Sequence, residues 1–174
     1  MNTPASKKLD IVIPAFRMHT QSFLNVLDGI TEEDALKRID GKTNHIVWMA
    51  GNLVNCRYGM AWVLGLREED PYSDLFFQGK ALSPEYNYPS LQALKESFHR
   101  ISALLYEQLL QAPDELLDSA FQFGMNVPFV PATVLSFMGM CIGREDYLCG
   151  QIGLMRKILG YEGMKYDVNT NIPY

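Results

Sequence analysis

At 174 residues, 48 % apolar and 20 % charged, the chain suits one folded domain, residues 1 to 174, and excludes a disordered one. A formal net charge of −5 offers no general attraction to phosphate backbones, and the nearest basic spot, Arg156-Lys157, is only a pair, so no nucleic-acid partner is expected. Three cysteines (Cys56, Cys141, Cys149) lack the C-x-x-C spacing of a thiol-only zinc ribbon and make a disulfide framework a poor fit.

The first ten residues are polar, without the apolar core of a signal peptide. The most apolar long segment, residues 46 to 66, carries Asn52, Asn55 and Arg57, which argues against a membrane span. A soluble, cytoplasmic protein in a reducing compartment is the expectation.

In chain order, Leu9, Val12, Ile13, Phe16, Phe23, Leu24 and Leu27 recur at helical spacing. Pro14 sits in the first turn of that helix or kinks it, and Gly29 stops it. Thr31 caps a short acidic helix that Gly41 ends. Asn44 is the expected N-cap of a second long helix over residues 45 to 65, apolar on several faces and therefore either central or shared with a partner.

Residues 67 to 88 lose the periodicity but keep Tyr72, Phe76, Phe77, Tyr86 and Tyr88, which predicts a long connection anchored by aromatic rings. Ser90 caps the third long helix, with Leu91, Leu94, Phe98, Ile101, Leu104, Leu105 and Leu109 as its buried stripe. Pro113-Asp114 opens a short acidic turn, and residues 121 to 128 read as an irregular loop or a scrap of two strands. The last helix is placed at residues 131 to 159, with Pro131 in its first turn and Gly160 as its stop. Its interior Gly139, Gly143, Gly150 and Gly153 each cost roughly 1 kcal/mol relative to Ala, so close helix contact is the expected compensation. The tail from residue 161 is expected to lie on the surface.

Two segments carry a resemblance. Residues 36 to 53 look like the "rp-x-G-x-nSi-x-wl-x-gHl" entry to the second helix of the DinB/YfiT-like proteins. Residues 145 to 156, Glu-Asp-Tyr-Leu-Cys-Gly-Gln-Ile-Gly-Leu-Met-Arg, are similar to that family's "H-e-x-y-H-x-G-Q-i-g-l-l-R". The resemblance implies an all-α, four-helix bundle with a long crossover between helices two and three. It also implies a divalent-metal site of three histidines serving thiol transfer or thiol-dependent isomerisation. The three corresponding positions here are Asn52, Arg144 and Leu148, none of them a histidine.

Asn ligates transition metals poorly, Leu not at all, and a guanidinium repels the ion, so neither a metal nor another cofactor is expected. Cys56, Cys141 and Glu145 are the residues able to rebuild a site or to line the pocket, although a buried Cys commonly acts as a small hydrophobe. His19, His45 and His99 read as structural or solvated.

An inward-pointing Arg144 needs an internal carboxylate, a route to the pocket rim or a bound anion, with Asn52 helping to orient such a ligand. Three functions stand on this reading. The first is a protein that binds a small, anionic molecule in the former metal pocket. The second is a thiol transferase or hydrolase with a substituted site, and the third a ligand-free structural or interaction protein. A homodimer through apolar surface of the second helix is a further expectation.

Overall fold

The computed structural model describes residues 3–122, 124 and 127–174. Among these, seven α-helices form and no strand does, so the fold is all-α. No helix among the described residues is long and apolar enough to cross a membrane. Part of the 121-to-128 reading (Phe123, Met125, Asn126) falls outside the described residues; nearby, one isolated bridge pairs Ala120 with Thr133.

Helix α1 (Val12–Val26) follows a 3-10 turn, Lys7–Leu9, whose N-cap Ser6 accepts a hydrogen bond from the Lys8 amide. Pro14 is the third residue of α1, where the missing N–H removes a donor that has no intrahelical partner anyway, so the helix needs no kink. Gly29, at φ +71°, takes the left-handed turn that ends this segment. Helix α2 (Glu32–Ala35) is capped by Thr31 as its sequence implies. Both oxygens of Glu32 reach across to the Leu91 and Gln92 amides at 2.7 and 3.1 Å, satisfying the open end of the third long helix.

Helix α3 (Ile46–Val63) starts one residue later than expected. Its N-cap is His45, not Asn44, and the His45 Nδ1 accepts from the Trp48 amide at 2.9 Å. Fourteen of its eighteen residues are buried, so the apolar spread of this helix is consumed inside the molecule. It lies against two other long helices, α5 (Leu91–Gln111) and α7 (Val134–Ile158), and α1 packs on the same two. The core cluster runs continuously from Leu9 to Met155.

The connection from α3 to α5 holds a short helix α4 (Ser73–Phe76) and a 3-10 turn, Phe77–Gly79. Phe76 is its deepest anchor. A Cβ added to Gly51 of α3 would come within 2.0 Å of the Phe76 ring, so the bare glycine is what seats it. Ser90 caps α5 as expected, and its stripe is buried except for Leu104, which is 37 % exposed. After α6 (Asp114–Asp118), the bridge at Thr133 keeps Pro131 in extended chain, and α7 begins only at Val134. The Thr133 hydroxyl caps it.

The four α7 glycines correct a second expectation. Among the described residues, a Cβ at Gly139, Gly143 or Gly150 would meet nothing within 4 Å, and at Gly153 only Val26 at 3.8 Å. Contact inside the chain does not explain them.

Candidate functional site

Arg57 is the one charged residue of α3, and its side chain is fully buried. Isolated in the core, such a cation would be prohibitively costly. The fold surrounds it completely. Its Nε and Nη2 bond both oxygens of Glu145 on α7, itself 1 % exposed, the Nη2 contact at 2.9 Å. Nη1 reaches Thr20 Oγ1 at 3.1 Å and Ser102 Oγ at 3.3 Å, and Nη2 also reaches the Phe16 carbonyl at 3.1 Å. The Phe16 ring lies 3.7 Å from the guanidinium carbon and the Phe98 ring 4.7 Å, so both apolar neighbours offer π faces.

Glu145 also holds His19, whose Nδ1 lies 3.3 Å from Oε2, while His19 Nε2 faces the exposed Asp146 at 4.0 Å. Glu145 is thus not a spare ligand. Its oxygens are committed to Arg57 and His19, drawing three of the four long helices together.

Asn52 and Arg144, expected from the sequence to share one pocket, are brought together. Arg144 Nη2 donates to Asn52 Oδ1 at 3.0 Å, and Asn52 Nδ2 donates to the Trp48 carbonyl at 2.9 Å. Arg144 is half-buried. No Asp or Glu among the described residues lies within ion-pair distance of it, because the inward carboxylate of α7 is held by Arg57 instead. The 3-10 turn after α4 lies over it: a Cβ on Gly79 would stand 3.9 Å from Arg144 Nη2, and Trp48 Nε1 donates to the Lys80 carbonyl at 3.1 Å. Leu148, the third expected pocket position, is simply core.

Cys56 and Cys141 face each other from α3 and α7. Hydrogen bonding to Cys56, burial and the nearby negative charge of Glu145 push the Cys141 thiol well above its ordinary range, against an opposing pull from Arg144. Burial, aided by the Glu145 charge, pushes Cys149 up to about 12. Both are protonated near neutral pH, and a thiol rather than a thiolate is a poor nucleophile and metal ligand. Among the described residues, no group of three or more His, Cys, Asp or Glu side chains is arranged to hold a metal ion.

His45 is buried and neutral. Desolvation brings its pKa down to about 4, with Arg38 adding in the same direction. His99 lies 3.3 Å from the Tyr174 hydroxyl, on the tail that closes over α1. That tail does lie on the surface: Gln21 and Asn25 bind its backbone at Asn169 and Asp167. It frames an open groove of about 440 Å³ whose lining includes neither Asn52 nor Arg144.

The sequence reading missed Arg57 and its partnership with Glu145. A lone charge in eighteen otherwise uncharged helical residues was the available signal. Neither a known family, nor a curated protein, nor a solved structure matches the chain.

Proposed function

We propose that the protein is a DinB-like four-helix bundle that binds a small anionic molecule at Arg144. The packing of α3 on α5 and α7, with α1 on the same pair, supports the bundle. The Arg144–Asn52 hydrogen bond does so as well, since it joins two of the positions that the resemblance pairs. With three free thiols, Cys141 and Cys149 held protonated, it suits a reducing, cytoplasmic setting.

The observation that carries the ligand is the half-buried guanidinium without a carboxylate. Asn52 takes one of its five N–H donors and leaves the planar fork able to receive a carboxylate or phosphate in two-point fashion. The turn at Gly79 lies beside the same guanidinium, and Trp48, whose carbonyl accepts from Asn52, donates from its indole to the Lys80 carbonyl of that turn.

The test is a melting-temperature screen against inorganic phosphate, short dicarboxylates and sugar phosphates, run in parallel on Arg144→Gln. A true ligand at a hundredfold excess over its Kd stabilises by about 2.7 kcal/mol, and Arg144→Gln should lose that gain while keeping its ligand-free melting point. If every stabilising anion acts equally on the wild type and on Arg144→Gln, the Arg144 site is excluded.

A further inference from the structure

We infer that a second copy of this chain packs on the outward face of α7, antiparallel, about a two-fold axis near Gly150. The inference is independent of the ligand reading. Ser136, Met140, Gly143, Tyr147, Gly150, Leu154 and Ile158 follow one another at three- and four-residue steps, so they form a single stripe along six turns. The stripe points away from the core. Tyr147 is 63 % exposed, Leu154 62 % and Ile158 52 %, and it contains no charged residue. Water-facing helix surfaces are ordinarily polar, and no described residue covers the exposed part of this one.

Shape selects a second copy as the occupant. The stripe carries Gly143 between Met140 and Tyr147 in its N-terminal half, and Leu154 and Ile158 toward its C-terminal end. A two-fold axis runs two such helices antiparallel, with Ile158 over Gly143 of the other copy, Leu154 packed against its Tyr147, and Gly150 beside the axis. Each such contact is then made twice, as an isologous interface requires. The glycines, unexplained within one chain, let the two backbones approach.

Charge selects the same arrangement. Asp146 and Lys157 each precede a stripe residue by one position and therefore lie on the same flank, and both are exposed. In an antiparallel pair like flanks meet, which brings Asp146 of one copy to Lys157 of the other, offset by two residues or about 3 Å along the axis. In a parallel two-fold pair opposite flanks would meet instead, and Asp146 and Lys157, both on one flank, would not face each other. Within the chain Lys157 has no ion-pair partner among the described residues, and Asp146 has only the distant His19 contact at 4.0 Å.

The experiment is sedimentation velocity or light scattering on the full chain from about 5 to 500 µM. The wild type should pass from one chain to two across that range. Leu154→Glu should raise the dimer dissociation constant at least about tenfold with an unchanged circular dichroism spectrum, since Leu154 is exposed. Asp146→Lys should weaken the dimer, and the double variant Asp146→Lys/Lys157→Asp should restore it, which a merely structural role would not produce. For the orientation, Gly150→Cys should crosslink to itself, and Gly143→Cys should crosslink to Ile158→Cys in a mixture and not to itself. A wild type that stays monomeric throughout overturns the proposal. So does a dimer indifferent to Leu154→Glu, or a Gly143→Cys variant that crosslinks to itself.

Discussion

Helices α5 and α7 are of similar length and lie on the same partner, α3, yet they are polarised in opposite senses. Helix α5 turns Leu91, Leu94, Phe98, Ile101, Leu105 and Leu109 inward and gives Gln92, Glu96, Arg100 and Glu107 to water. Helix α7 turns Glu145 and Arg156 inward with Leu148 and Ile152, and gives Tyr147, Leu154, Ile158 and its glycines to water. Its two buried charges are both satisfied. Glu145 meets Arg57, and the Arg156 guanidinium caps the end of α1 by donating to the Val26 and Asp28 carbonyls at 2.7 and 3.0 Å. The contrast teaches that the polarity of a helix face follows from what the neighbouring elements can offer it. A charged inner face is stable where partners are fixed, and an apolar outer face calls for a partner outside the chain.

The sharpest way to break this comparison is to remove the fixed partner. Glu145→Gln leaves Arg57 charged and unpaired in the core, and should destabilise the protein by roughly 3–5 kcal/mol in urea unfolding. Replacing both residues, Arg57→Met with Glu145→Leu, should regain most of that loss, because the desolvation penalty goes with the charges. A cost below about 1 kcal/mol for Glu145→Gln would mean that the inner face of α7 is hydrated, and the contrast with α5 would collapse.

How much of this was legible in the sequence follows the same division. The stripe of α5, its Ser90 cap and the stops at Gly29 and Gly160 could be read directly, because each is a local pattern with a local cause. The α7 face could not, since periodicity averages out when polar and apolar residues occupy both sides. Asn52 and Arg144 are expected from the sequence to share one pocket, and they do meet in a hydrogen bond. The choice of Arg57 by Glu145 spans 88 residues of chain, and nothing local marks which carboxylate an isolated arginine will take. The displaced caps have a simpler origin. Asn44 and Pro131 are reasonable starts by type, but the His45 ring and the Thr133 hydroxyl are the acceptors that reach the first-turn amides.

The next effect in size tests a buried group outside α7, on the helix that both partners share. Folded His45 holds its pKa at about 4 because burial disfavours its charged form, whereas the unfolded residue titrates near 6.5. Above pH 6.5 both states are neutral and the capping contact is intact. As pH falls from about 6.5 to 4 only the unfolded state takes the proton, so stability falls across that window, by roughly 3 kcal/mol at its lower end. His45→Asn keeps a capping acceptor and removes the titration, so its urea midpoint should lose less between pH 7 and pH 4 than the wild type's. Equal losses would place the acid sensitivity elsewhere.

The smallest effect decides what the outer face of α7 is for. Gly143 and Gly150 adopt ordinary helical conformation, and a Cβ at either meets no described residue within 4 Å. In a dilute monomer, Gly143→Ala and Gly150→Ala should therefore each stabilise the fold by up to about 1 kcal/mol, the intrinsic preference of a helix interior for Ala. In the concentrated protein the same methyl groups stand between two backbones that the glycines let approach, so association should weaken as the monomer grows firmer. The opposite signs are the informative part. A face exposed to water at every concentration would show the gain alone, and a face packed within the chain would show only a loss. Unfolding at about 1 µM and sedimentation at about 500 µM, on the same two variants, separate these outcomes. A gain in stability with unchanged association would leave the glycines of α7 without a partner and return its outer face to solvent.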